Sequence, residues 1–280
     1  MTHNPSQVGA SCLVGGITGL SLGLMAALPA AAQDDSSQGY MSFLGWSLTS
    51  ARVGVSVEPD YLGSNNYRVG PTGSLSFSRH PGERSKFSAP DDGFNLGLAG
   101  GDMLSAGLVG RWQPGRNNHA HDLRGFDDVG GTVEAGGFVN WWAGDWLRVR
   151  GEVRHGIGGH VDWAADLGVD AVARTGDWIF SAGPRLSWAD DRFTRSYFEV
   201  SPLEAARSPF AIQPFAPHGS FWSPGALATA EYRVSKSWSF ALDGAYRRLT
   251  GDAVKSPIVA KLGSKDQLST TLSVRYAFGP

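Results

Sequence analysis

Cysteine is almost missing from this chain: the one present, Cys12, sits in an apolar N-terminal run. Residues 33–280 contain none, so disulfide staples, thiol catalysis and thiolate metal sites are excluded there. Charge is scarce as well, at 18 %, where soluble proteins carry about 25 %. The formal net charge of −2 offers nucleic acid no attractive field, so no nucleic-acid partner is expected. Beyond residue 33 no stretch is long and apolar enough for a membrane helix, which needs about 20 residues. Mean hydropathy is −0.18.

What the chain has in quantity is glycine, 38 residues, and tryptophan, 10 residues. Together they suit many tight turns and an aromatic-rich surface. The N-terminus reads as an address. Val8–Leu28 is apolar and small, and Pro29-Ala30-Ala31-Ala32-Gln33 leads into Asp34-Asp35. Small residues before an acidic stretch are what signal peptidase accepts. Residues 1–32 are therefore expected to be a cleaved signal peptide, and 33–280 the mature domain. The apolar run follows Cys12 and does not lead up to it, which disfavours lipidation there.

From about residue 51 the dominant period is two. Val53, Val55 and Val57 alternate with Arg52, Gly54 and Ser56; Leu147, Val149 and Val153 oppose Arg148, Arg150, Glu152 and Arg154. Trp163, Leu167 and Val169 face away from Asp162, Asp166 and Asp170, and Trp238, Phe240 and Leu242 from Ser239 and Asp243. Each run is roughly ten residues, the length a tilted strand needs to cross a bilayer. One face is often charged and the other carries large aromatics, which reverses a soluble core and matches a polar lumen inside a lipid-facing wall. The fold class expected is all-β: a transmembrane antiparallel up-and-down β-barrel.

Tryptophans gather beside turns. Trp142 and Trp146 flank Ala143-Gly144-Asp145, Trp178 follows Gly176-Asp177, and Trp238 follows Ser235-Lys236-Ser237. These four are expected to form an interfacial girdle. Short turns near 100–102, 143–145, 174–176 and 235–237 alternate with long links at 113–131, 189–225 and 249–265. Simple hairpins would put all short turns at one end. Eleven strands are clear, and bacterial barrels usually have an even number, so about 12 are expected. Either Tyr40–Leu48 or Ser256–Ala260 would add the twelfth.

The turn His155–His160 joins two charged faces. Folding it about residue 158 sets Arg154 against Asp162 and Arg150 against Asp166, an expected lumenal charge ladder; hydrated lumen charges without partners are the alternative. The link 189–225 carries Phe193, Tyr197, Phe198, Phe210, Phe215, Phe221 and Trp222. So many aromatics suggest that it folds over the barrel mouth or presents a partner surface. The acid pairs Asp91-Asp92, Asp127-Asp128 and Asp190-Asp191 lack an EF-hand spacing and read as loop charge. Arg111, Arg116 and Arg124 could touch anionic lipopolysaccharide if their link faces outward. No G-x-S-x-G elbow occurs in residues 33–280, and no catalytic constellation is expected.

Several segments taken in order are familiar: Pro59-Asp60-Tyr61-Leu62-Gly63-Ser64, Leu123-Arg124-Gly125-Phe126-Asp127-Asp128-Val129, Gly131-Thr132-Val133-Glu134-Ala135-Gly136, Gly158-Gly159-His160, Trp188-Ala189-Asp190-Asp191-Arg192-Phe193, Gly251-Asp252-Ala253 and Ser256-Pro257-Ile258-Val259. In these the chain resembles the MipA/OmpV family of outer-membrane proteins, the MltA-interacting proteins. The resemblance implies an outer-membrane barrel among lipid and lipopolysaccharide. It also implies a scaffold for a periplasmic murein hydrolase (a lytic transglycosylase) and a murein synthase, with no catalytic residue or cofactor to carry over. A narrow channel and a surface adhesin are the other readings.

Overall fold

The computed structural model describes residues 42–43, 45–78, 87–101, 103–118, 121–158 and 161–278. The expected leader, 1–32, lies outside them. Twelve strands follow in chain order: β1 (Ser42–Phe43), β2 (Trp46–Pro59), β3 (Tyr67–Ser78), β4 (Phe94–Gly100), β5 (Leu104–Gln113), β6 (Thr132–Ala143), β7 (Leu147–Gly158), β8 (Trp163–Thr175), β9 (Trp178–Ala189), β10 (Phe221–Arg233), β11 (Trp238–Arg248) and β12 (Asp266–Ala277). Four short helices occupy the links: α1 (Asp191–Phe198), α2 (Pro202–Arg207), α3 (Asp252–Lys255) and α4 (Pro257–Ala260).

The sheet closes because β2 pairs with β12 on one side and with β3 on the other. β1 adds only a two-residue pairing with the start of β2. The barrel proper is therefore the eleven strands β2–β12, one fewer than the even total expected. Trp46–Leu48 is the front of β2 and not a strand of its own. Ser256–Ala260 is not a strand either: the Ser256 side chain caps α4 through Ile258 N, and Pro257 occupies the first turn, where its missing N–H costs nothing.

The odd number has a physical cause. β3 and β4 are parallel, Ser76 opposite Asn95, whereas every other neighbouring pair is antiparallel. The chain leaves β3, passes through the lumen at Phe87–Asp92, and re-enters the wall beside β3 in the same direction. Gly93 makes the exit with φ +70°, and a Cβ there would lie 2.8 Å from Gly110 O, so only glycine serves. One parallel neighbour lets an odd barrel start and finish at the same rim. That rim also carries the turns β4/β5, β6/β7, β8/β9 and β10/β11; the long links gather at the opposite rim.

The wall is inside out relative to a soluble domain. Val53, Val55 and Val57 are exposed while Arg52 and Ser56 are buried; Phe240 and Leu242 are exposed while Ser239 and Asp243 are buried. The period-two pattern thus sends apolar side chains toward lipid and polar ones into the lumen.

Candidate functional site

The lumen is crossed by a strap, residues 87–93. Its apolar end, Phe87 and Ala89, packs on Trp142, Val172, Ile179 and Leu227 from four wall strands. Its polar end is a 3-10 turn, Pro90–Asp92, fastened by arginines from β2, β5, β7 and β9. Arg52 donates to Ser88 O at 3.2 Å and Arg111 to Asp91 O at 2.5 Å. Arg185 reaches the Asp91 carboxylate at 2.7 Å and Arg148 that of Asp92 at 2.8 Å. Arg150 donates to Asp92 O at 3.3 Å.

Around the strap the charges interlock. Arg154 contacts Glu134 at 2.8 Å, Glu152 at 2.6 Å and Asp166 at 2.6 Å. From β5, Arg111 joins Glu152 on β7 and Asp166 on β8 at 3.1 and 3.2 Å. Arg150 pairs with Glu152 at 2.6 Å, donates to Asn95 at 2.6 Å and lies 4.1 Å from the Phe138 ring centroid. Asp170 sits between Arg148 at 3.2 Å and Arg185 at 2.6 Å. A second cluster sets Arg52 and Arg275 against Glu231 at 3.6 and 3.4 Å, with Asp243 3.5 Å from Arg52. Each ion is taken from water at a cost that one partner seldom offsets; the shared, forked contacts of arginine supply several.

Arg150, Arg154 and Asp166 belong to this network, but the expected ladder is corrected in its pairing. The β7–β8 register sets Glu152 opposite Asp166, Arg154 opposite Ala164 and Arg150 opposite Gly168. β7 continues to Gly158 and β8 begins only at Trp163, so the hairpin folds later than residue 158. A slip of two residues keeps every side chain on its face, and Arg154 therefore still reaches Asp166, diagonally. Asp162 is buried just before β8. Asp91, Asp92, Glu134 and Glu152 were not anticipated as partners. Glu134 and Glu152 carry the same alternation signal; the two aspartates sit in a Pro- and Gly-bearing segment that reads as a plain loop.

Of the four tryptophans expected in a girdle, Trp146, Trp178 and Trp238 are exposed, at 61 %, 42 % and 51 %. Trp178 contacts Tyr232, and Trp238 contacts Tyr276, near the short-turn rim. Trp142 is corrected: it points inward against Phe87 and is 7 % exposed. Thr132, Glu134 and Asn140 already assign the even positions of β6 to the lumen, so Trp141 faces out and Trp142 in.

The long links fold together as a cap. Phe193, Tyr197, Phe198, Phe221, Leu249, Ala253 and Val259 form one buried cluster. Tyr61, Leu123, Phe126, Val200, Ile212 and Ile258 form another. The aromatics of 189–225 therefore supply a core, except Trp222, which is exposed on β10. Asp190 caps α1 through Phe193 N at 3.0 Å. Ser201 and Glu204 form a capping box on α2, and Glu204 also accepts Asp127 N at 2.9 Å. Arg116 is buried, donating to Tyr197 O at 2.5 Å. Burial, then the nearby Asp122 charge, pushes the Tyr61 hydroxyl up to about 12. Burial likewise raises Tyr197 and lowers Arg116. Arg111 and Arg116 thus point into the protein, away from any lipopolysaccharide, and only Arg124 of those three is exposed. Asp127 pairs with Arg207, and Asp128 accepts Asn118 N. Among the described residues no group of three or more His, Cys, Asp or Glu side chains is placed to hold a metal.

A closed sheet with apolar side chains outward and a charged, strapped lumen defines a transmembrane β-barrel of the bacterial outer membrane. The family model described as "MltA-interacting protein MipA" matches residues 52–278, and the chain belongs to that family. The MltA-interacting proteins of Escherichia coli (strain K12) and Shigella flexneri are each 26 % identical over 189 residues, covering 65 % of this chain and 73 % of theirs. Among solved structures, the NanC porin aligns over 83 % of this chain and all of its own, at 9 % identity and a TM-score of 0.38. A Pseudomonas aeruginosa FadL homologue aligns over 85 % of this chain and 66 % of its own, at 11 % identity and a TM-score of 0.35.

Proposed function

We propose that this barrel is a non-enzymatic scaffold that holds murein-remodelling enzymes, a lytic transglycosylase and a murein synthase, at the outer membrane. The observation that carries the reading is the lumen: a strap tied by five arginines, inside a wall braced by shared ion pairs, makes a rigid body and obstructs passage. The family supports it, since the curated relatives are named for interaction with MltA. In barrels of this kind the short turns face the periplasm, so the rim carrying Met103, Trp146 and Val234, all well exposed, is the surface such enzymes would meet.

The test is direct capture. The full-length barrel, immobilised in detergent, should retain a purified lytic transglycosylase and, through the same rim, a murein synthase. Substituting the β6/β7 and β10/β11 turns should abolish retention without altering heat-modifiable gel migration. Retention unaffected by these changes, or no retention of either enzyme, refutes the proposal. Single-channel currents near zero in a planar bilayer are expected; a steady open conductance would favour a channel.

A further inference from the structure

The parallel step from β3 to β4 leaves a seam in the wall. β4 meets β3 only at Ser76, Phe77 and Ser78. Among the described residues no strand pairs with Tyr67–Leu75 on that side, and β5, the next strand round, pairs with β4 only up to Gly110. Above Phe94 no described strand therefore takes the place between β3 and β5. Neighbouring strands lie about 4.8 Å apart, so β3 and β5 stand roughly 10 Å apart there. Lipid-facing residues flank the seam: Val69 is 72 % and Trp112 62 % exposed. Directly inside is a cavity of about 330 Å³. Its lining includes Arg68 of β3 and Arg111 and Gln113 of β5, so it reaches the seam from both edges. Arg247 also lines it and is exposed, with no ion pair among the described residues.

We propose that the seam is a lateral portal, through which an anionic glycerophospholipid places its headgroup in the lumen while its acyl chains stay in the bilayer. Three observations select this occupant. An unpaired strand edge facing hydrocarbon is costly unless something accepts its N–H groups, and glycerol-ester carbonyls do so. A strand from another chain is disfavoured, because Gly70-Pro71-Thr72-Gly73 places a proline, with no N–H, at mid-edge. The guanidinium of Arg247 is matched by a phosphate, and the cavity suits a phosphoglycerol head better than a phosphorylated disaccharide. The other five arginines of the lining are each in an ion pair, which leaves Arg247 to meet the head.

The experiment uses full-length protein in phosphatidylethanolamine–phosphatidylglycerol vesicles, with a benzophenone side chain at Gln113, in the lumen, or at Trp112, on the lipid face. Position 112 should capture both lipids in their bilayer ratio. Position 113 should capture lipid too, enriched severalfold in phosphatidylglycerol. Gly70 shares the lumen face with Ser56, and a Cβ there meets nothing within 4 Å, so Gly70→Trp fills the portal. It should cut capture at 113 at least fivefold and leave 112 unchanged. Gly151→Trp, an equally open glycine on β7, should change neither. If Gly70→Trp does not fold, Arg68→Trp on the same face provides the block. Arg247→Gln should remove the enrichment but not the capture. Capture at 112 with none at 113 overturns the proposal, as does equal capture at 113 in the Gly70→Trp and Gly151→Trp proteins, which would mean entry through the rim. Preferential capture of lipopolysaccharide, when it is added, overturns the assignment of the occupant. None of these outcomes bears on enzyme retention at the opposite rim, so the two proposals fail separately.

Discussion

Arg154→Met tests the lumen network where its geometry is most committed. The guanidinium is 4 % exposed and touches Glu134, Glu152 and Asp166 at 2.8, 2.6 and 2.6 Å. Methionine retains much of the stem and removes the charge. Glu152 then keeps Arg111 and Arg150, and Asp166 keeps Arg111. Glu134, 2 % exposed, keeps no other arginine among the described residues. Removing one side of a buried pair costs about 3–5 kcal/mol, chiefly because a charge is left uncompensated, and here that charge is Glu134. The double variant Arg154→Met with Glu134→Gln should therefore recover about 1–3 kcal/mol of the loss. Urea unfolding in micelles, followed by tryptophan fluorescence and heat-modifiable migration, measures both. An Arg154→Met protein within about 0.5 kcal/mol of the parent would refute the reasoning, since that is the range of an ordinary surface substitution. A loss that persists in full in the double variant would mean that packing, and not charge, was disrupted.

The two neighbouring tryptophans should separate cleanly in the same assay: Trp142→Ala, which opens the contact with Phe87, should cost about 3–5 kcal/mol. Trp146→Ala should cost little but lower the share of fluorescence quenched by brominated lipid, since Trp146 is one of several exposed tryptophans. Gly125 has φ +92° and its Cβ would lie 2.8 Å from Arg207 O, so Gly125→Ala should loosen the cap and expose the 190–220 link to protease without changing the strand signal in circular dichroism. Tyr61 is held above its ordinary value of 10 at about 12 in the folded cap. The folded state then keeps a proton that the unfolded one has lost, so this contribution is complete below pH 10 and falls away between pH 10 and 12. The slope is about 1.4 kcal/mol per pH unit. Tyr61→Phe should flatten the alkaline limb of a cap-proteolysis profile and leave the profile at pH 8 in place.

The alternation in β7 was legible because Arg148, Arg150, Glu152 and Arg154 occupy every second position with Val149, Gly151 and Val153 between. The same reading, extended to Thr132, Glu134 and Asn140, would have turned Trp142 inward; its nearness to a turn concealed this. The partners of the arginines were not legible. Arg111 on β5 meets Asp166 three strands round the wall on β8, and such pairs have no sequence spacing to betray them. Nor did residues 87–93 announce a strap. A segment with proline, glycine and charge looks the same whether it lies in solvent or is buried among five arginines.

The sequence by itself determined that this chain forms a transmembrane barrel, since period-two alternation with charge on one face is a local property of each strand. It also determined which residues face the lumen, because a register slip of two leaves the faces unchanged. Only the tertiary structure decided the strand number, the parallel β3–β4 step, the strap and the seam beside it. These depend on how the ends of the sheet meet, and closure is a property of the whole ring that no single strand encodes.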